Sequence, residues 1–170
     1  KSIINYYKKI NPKLFLTLIF RSDLPRSKAK KSLRSFINKM NNRFFVRSSG
    51  DRLRLLPVLE MGCAIYENQG SIGDNTKANW HIHIIMEDPT ERDCKVSGMS
   101  LDELKKIIGN LWDSVGYGDI AYTARYNKDD WFKNIYDLGG VLNYLHKEVV
   151  INEQVVMHEY ANNTGVKMAS

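Results

Sequence analysis

Two histidines stand two residues apart in an apolar run, Trp80-His81-Ile82-His83-Ile84-Ile85-Met86. In a strand, residues i and i+2 project from the same face, so both imidazoles point one way while Ile82 and Ile84 point the other. Two neutral imidazoles side by side form a chelating half-site for a divalent metal ion. The same spacing also suits two histidines that meet only solvent or a hydrogen-bond partner. A carboxylate would complete the set and leave coordination positions open for a substrate. Glu60, near the end of the preceding predicted strand, comes opposite the histidines if the two strands pair as a hairpin. Glu87 is the rival, because it shares the histidines' strand parity, although the strand ends there at Asp88-Pro89.

Further along, Tyr144-Leu145-His146-Lys147 places a phenol and an ammonium at i and i+3, neighbours on one face of a predicted helix. Next to a metal ion that neutralises a phosphate, such a phenol can act as a nucleophile and the ammonium can stabilise the phenolate or the leaving oxygen. On their own the two residues are ordinary helix-surface side chains. The histidines are what give them a use.

These groups need elements to hold them. The run Leu14-Phe15-Leu16-Thr17-Leu18-Ile19-Phe20 predicts a buried strand. Leu33, Phe36, Ile37, Met40 and Phe44 then recur at helical spacing, with Lys28, Lys30, Lys31, Arg34 and Lys39 between them, which predicts a helix with a basic outer face. A turn over 47–52 leads to a strand over 53–62, where Pro57 calls for a bulge or an edge position. A polar loop over 67–77 precedes a third strand over 79–87.

Ser100 and Glu103 form a capping box, with Met99 placed to staple onto Leu104, for a helix stopped by Gly116 and Gly118. Alternation of Ile120, Tyr122, Ala124 and Tyr126 predicts a fourth strand over 119–126. Trp131, Ile135, Leu138, Leu142, Leu145 and Val149 predict a helix through 131–150, weakened at Gly139-Gly140. The expected fold is α+β: a ferredoxin-like split βαβ arrangement with a central antiparallel sheet, helices on one face and a C-terminal helix carrying Tyr144.

The 170 residues, 43% hydrophobic, suffice for one domain with its own core. Because residue 1 is Lys, the chain is expected to be a fragment or the catalytic part of a longer protein. Cys63 and Cys94 lack C-x-x-C spacing and read as reduced thiols of a cytoplasmic protein. No apolar run approaches the length of a membrane span. Residues 1–54 hold 15 of the 25 Lys and Arg but only 2 of the 19 Asp and Glu. Such asymmetry suits one basic face that attracts phosphate polyanions or anionic lipid.

Taken in order, "FLTLIF", "HIHII" and "YLHK" resemble the three motifs of the HUH endonuclease superfamily, in particular its rolling-circle replication initiator (Rep) proteins. The resemblance spans residues 14–147 and implies a metal-dependent nickase and strand ligase acting on single-stranded or hairpin origin DNA of a plasmid or phage. It makes His81 and His83 ligands of Mg²⁺ or Mn²⁺, with Glu60 as the third. Tyr144 becomes the nucleophile that forms a 5′-phosphotyrosine and frees a 3′-hydroxyl, and Lys147 assists it.

Tyr136 lies eight residues before Tyr144, which does not suit the paired-tyrosine variant, so a single-tyrosine enzyme is implied. The lysine after the tyrosine fits Rep proteins better than the transposases of the superfamily, and the three-histidine pattern of relaxases is not evident. The sequence has no G-x-x-x-x-G-K-[ST] phosphate loop, so any helicase partner would be host-encoded or fused elsewhere, and no nucleotide cofactor is expected. Lys28, Lys30, Lys31 and Arg34 would hold the DNA backbone, while Trp80, Tyr122 and Tyr126 either stack on bases or pack in the core. Two competing readings stand beside this one. The first is a non-catalytic nucleic-acid-binding module of the same fold, and the second is a nuclease in which water attacks and Tyr144 is structural.

Overall fold

A computed structural model describes residues 10–61, 77–148 and 154–156. The fold is α+β, centred on a five-stranded antiparallel sheet of order β6-β1-β5-β3-β7. Its inner strands are β1 (Leu14–Ile19), β5 (Trp80–Met86) and β3 (Leu55–Met61), with β6 (Phe132–Asn134) and β7 (Gln154–Val156) at the edges. Two short strands, β2 (Leu24–Pro25) and β4 (Lys77–Ala78), form a separate ribbon. Pro57 keeps register with Ile84, and no bulge is needed because β7 covers only Val58, Leu59 and Glu60 of β3.

Register sorts the side chains into two faces. Leu14, Leu16 and Leu18 pair with Met86, Ile84 and Ile82, and Leu55 and Leu59 join them, all fully buried. Helix α1 (Arg26–Phe44) covers this face with Ala29, Leu33, Phe36, Met40 and Phe44, and α2 (Leu101–Asp113) adds Leu104, Ile108 and Trp112. Trp112 packs against Phe20 and Phe36 with ring centroids 5.1 and 5.3 Å apart, and each side chain buried this fully contributes roughly 1.5–3 kcal/mol. The capping box at the start of α2 is formed, with Glu103 N donating to Ser100 Oγ at 3.2 Å and Ser100 N to Glu103 Oε2 at 3.3 Å.

The opposite face carries Phe15, Thr17, Leu56, Val58, Glu60, His81, His83 and Ile85. A second, smaller core of Ile10, Phe15, Leu56 and Ile85 packs there against Ile135, Val141 and Leu142. Val141 and Leu142 belong to α4 (Leu138–Glu148), so this helix lies on the histidine side of the sheet while α1 and α2 lie on the other.

Two expected elements take another form. Residues 119–126 are not a strand: Ile120–Tyr126 is a helix, α3, because the Asp119 carboxylate caps it by accepting from Tyr122 N at 2.9 Å. Its Thr123 hydroxyl accepts from Ile19 N at 3.2 Å and donates to Ile19 O at 3.1 Å, closing the edge of β1 where β6 stops. Nor does one helix run through 131–150. Trp131 sits in the main core, 132–134 is strand β6, and α4 begins only at Leu138, with the Asp137 carboxylate accepting from Gly140 N at 3.1 Å. Cys94 is free, and Cys63 lies outside the described residues.

Gly118 bridges Phe20 at the end of β1, and a Cβ there would sit 2.0 Å from the Trp112 carbonyl oxygen. Since the obstacle is backbone, Gly118→Ala is expected to destabilise the fold by about 1–3 kcal/mol, read as a lower midpoint in urea unfolding with an unchanged slope.

Candidate metal-dependent active site

The site is built from register. Glu60 lies directly across from His81, and Thr17 directly across from His83, so four polar side chains share one face of three adjacent strands. His83 and Glu60 are only 4% and 5% exposed. Buried polar groups need partners, and here they find each other: Glu60 Oε2 is 3.1 Å from His83 Nε2, and Thr17 Oγ1 is 3.2 Å from His83 Nδ1. The Phe15 ring lies parallel to the His83 ring, 5.5 Å away, and fixes its plane.

A carboxylate oxygen accepts, so in the neutral ring Nε2–H donates to Glu60 and the Thr17 hydroxyl donates to Nδ1. A hydroxyl can also accept. If the His83 proton moves to Nδ1, Thr17 still holds the ring and Nε2 presents a lone pair.

His81 is half-buried, and its Nε2 has neither solvent contact nor a hydrogen-bond partner. Burial holds its pKa below the ordinary histidine value, and repulsion from His83 adds to this, against an opposing attraction to Glu60. The imidazole is therefore kept neutral, with an unused buried nitrogen. These donors fit a divalent metal ion in type: two imidazoles and one carboxylate, with one donor atom left without a partner. Among the described residues, no three His, Cys, Asp or Glu side chains are already drawn around a common point, and Glu60 Oε2 lies 3.1 Å from His83 Nε2. Glu87 has other work. Its Oε1 accepts from Arg54 N at 2.9 Å and Arg92 Nη1 at 2.7 Å, at the opposite end of β5 from His81.

The backbone of α4 carries Tyr144 and Lys147, whose side chains lie outside the described residues. The preceding turn of that helix, at Gly140 and Val141, lines a cavity of about 380 Å³ that also opens onto Thr17 and His83. The helix and the histidines thus share a face. Lys28, Lys31 and Arg34 are exposed and Lys30 is half-exposed on α1, across the sheet from the histidines. Trp80 is core, fully buried with its indole N–H donating to Leu24 O at 3.0 Å, whereas Tyr126 is 58% exposed and its ring lies 5.0 Å from that of Tyr122.

Sequence reasoning missed Thr17. The signal was present, since it is the one hydroxyl in an otherwise apolar strand. Thr17→Val is expected to weaken Mn²⁺ binding by about 10- to 100-fold and, by leaving the buried His83 Nδ1 unpaired, to lower stability by about 1–3 kcal/mol, and Thr17→Ser to restore both, as read by calorimetric titration and urea unfolding.

His81 also sets a pH dependence in the metal-free protein. Its folded pKa lies below that of the unfolded chain, so the unfolded chain takes up the proton first as pH falls. Its contribution to stability is complete above about pH 6.5 and is lost as pH drops through the folded value. Urea unfolding at pH 7.5 and 5.5 is expected to show a smaller difference for His81→Gln than for the parent.

The chain matches no protein-family model, no curated protein and no solved structure.

Proposed function

We propose that the protein is a metal-dependent endonuclease that nicks and rejoins single-stranded DNA through a tyrosine, as HUH-type Rep proteins do when they initiate rolling-circle replication. One observation carries the reading: His81, His83 and Glu60 gather on one sheet face, and the helix bearing Tyr144 and Lys147 packs on that same face. The antiparallel α+β architecture is compatible with the ferredoxin-like fold of that superfamily.

In this reading His81, His83 and Glu60 would hold Mg²⁺ or Mn²⁺, which would supply polarisation of the scissile phosphate and offset its charge. The Tyr144 oxygen attacks phosphorus as its proton passes to solvent, and the bond from phosphorus to the 3′-oxygen breaks. That oxygen takes up a proton and leaves as a 3′-hydroxyl, while the 5′ end stays on the tyrosine. Lys147 stabilises the negative charge on the attacking or leaving oxygen. Attack by a 3′-hydroxyl on the phosphotyrosine reverses every step and rejoins the strand.

The basic face of α1 supplies contacts to origin DNA, single-stranded or hairpin, and strand separation falls to a host or fused helicase. The setting is the cytoplasm of a cell carrying a plasmid or phage. The test is a denaturing gel of the protein with labelled single-stranded DNA from its own replicon, with manganese or with chelator. A protein-linked 5′ fragment that needs manganese is expected. Binding that ignores chelator, with no cut, would instead make the domain a nucleic-acid-binding module.

A further inference from the structure

The cavity beside His83 has a composition that the nicking chemistry does not use. Its apolar floor comes from Phe15 and Val141, and its polar wall from Asn127, Asp130 and Lys133. At about 380 Å³ it has room for a single nucleoside but not for a duplex.

The wall is built at a cost. Lys128 and Asp129, between Asn127 and Asp130, both adopt left-handed backbone with φ of 50° and 63°. Left-handed backbone is unfavourable for residues with a Cβ, and it persists where the surroundings impose it. Here Asp129 N donates to Ala124 O at 2.8 Å and Asp130 N to Asn127 O at 2.9 Å, while Lys105 Nζ reaches Asp129 from outside at 3.4 Å. The helix before the turn is anchored to β1 through Thr123. The result is a hydrogen-bonded turn that places Asn127 and the exposed Asp130 at the cavity.

What the wall offers is mostly hydrogen-bond acceptors. The Asn127 amide nitrogen donates to Thr123 O at 3.2 Å, which leaves its oxygen to accept. The Asp130 carboxylate accepts, and Lys133 Nζ, 3.0 Å from it, is the neighbouring donor. Among the bases, guanine carries the matching edge, with N1–H and N2–H₂ as donors beside O6 as acceptor.

Building on the nickase reading, we propose that this cavity receives the base of the nucleotide next to the scissile phosphate, unstacked from its neighbours, and that Asp130, Asn127 and Lys133 select guanine. The Asp130 carboxylate takes the N1 and N2 protons, Lys133 faces O6, and Phe15 and Val141 contact the ring. Asp130 and its neighbours are thus specificity residues for the strand, distinct from the groups that cut it.

The experiment is a heteronuclear NMR titration of the metal-free protein in chelator with dGMP, dAMP, dCMP, dTMP and the trinucleotide d(TGT). The expected result is that dGMP shifts the amide signals of Thr17, Gly140 and Val141 and binds at least about fivefold more tightly than dTMP. Asp130→Asn should keep the spectrum of a folded protein and reduce that preference to less than about twofold. The base of a strand predicts tighter binding of d(TGT) than of dGMP. Equal binding of all four mononucleotides, shifts confined to other surfaces, a preference that survives Asp130→Asn, or tighter binding of dGMP than of d(TGT) would each overturn the proposal. No cut is read in this assay, so a failure of nicking and a failure of guanine selection are separate results.

Discussion

Changing Tyr144 to Phe is expected to remove the covalent protein–DNA adduct altogether, a loss of at least about 10⁴-fold in nicking, while binding of single-stranded DNA stays within about twofold. Removing an enzyme's nucleophile costs this much because no neighbouring group can take over its bond to the substrate. The substitution deletes one oxygen and keeps the ring, so α4 and its packing through Val141 and Leu142 should be untouched. Labelled single-stranded origin DNA, resolved on a denaturing gel with manganese, gives the answer. Cutting that continues without an adduct would make water the nucleophile and Tyr144 structural. An adduct that persists would move the nucleophile to another residue.

Glu60→Gln should have the second-largest effect. The amide oxygen can still accept from His83 Nε2, so the 5%-exposed side chain keeps its partner and the fold survives. What disappears is the negative charge among the donors. Mn²⁺ affinity is expected to fall by more than the 10- to 100-fold typical of losing a supporting residue. In the parent, manganese at a hundred times its dissociation constant should raise Tm by about 5–10 °C, and in Glu60→Gln that rise should vanish. Glu87→Gln is the control. It weakens the contacts to Arg54 and Arg92, so Tm should drop without manganese while the manganese response remains. The opposite pattern would exchange the roles of the two carboxylates.

The parts of the fold that were legible in the sequence are those whose burial has a clear period. β1, β3, β5 and α1 show their apolar stripes directly, and α2 announces itself with Ser100 and Glu103. The helix α3 was hidden because seven residues span only two turns, too few to separate a period of 2 from one of 3.6. Asp119, which decides the matter as an N-cap, looked like the first residue of a strand. Trp131 and Leu138 joined a false stripe because a tryptophan in a loop can reach the core as well as one in a helix.

The parity of His81 and His83 was readable, and a hairpin register was enough to bring Glu60 opposite. Thr17 and the turn at Asn127–Asp130 depend on how β1 pairs and where α3 docks, which are contacts between residues distant in sequence. The charge count pointed to a basic face but held no information about which side of the sheet it would occupy.

For the proposed DNA nickase, that last placement has a physical consequence. With the cations of α1 on one side of the sheet and the histidines on the other, a strand that fills only the catalytic face touches few of the lysines and releases few counterions. A longer strand, or a hairpin whose stem rounds the sheet edge, reaches both. The slope of log affinity against log salt should therefore steepen abruptly, not gradually, as the oligonucleotide grows past the length that turns the edge. In the proposed nickase the sheet would act as a ruler, weighing a DNA molecule by how far it extends before the site can hold it.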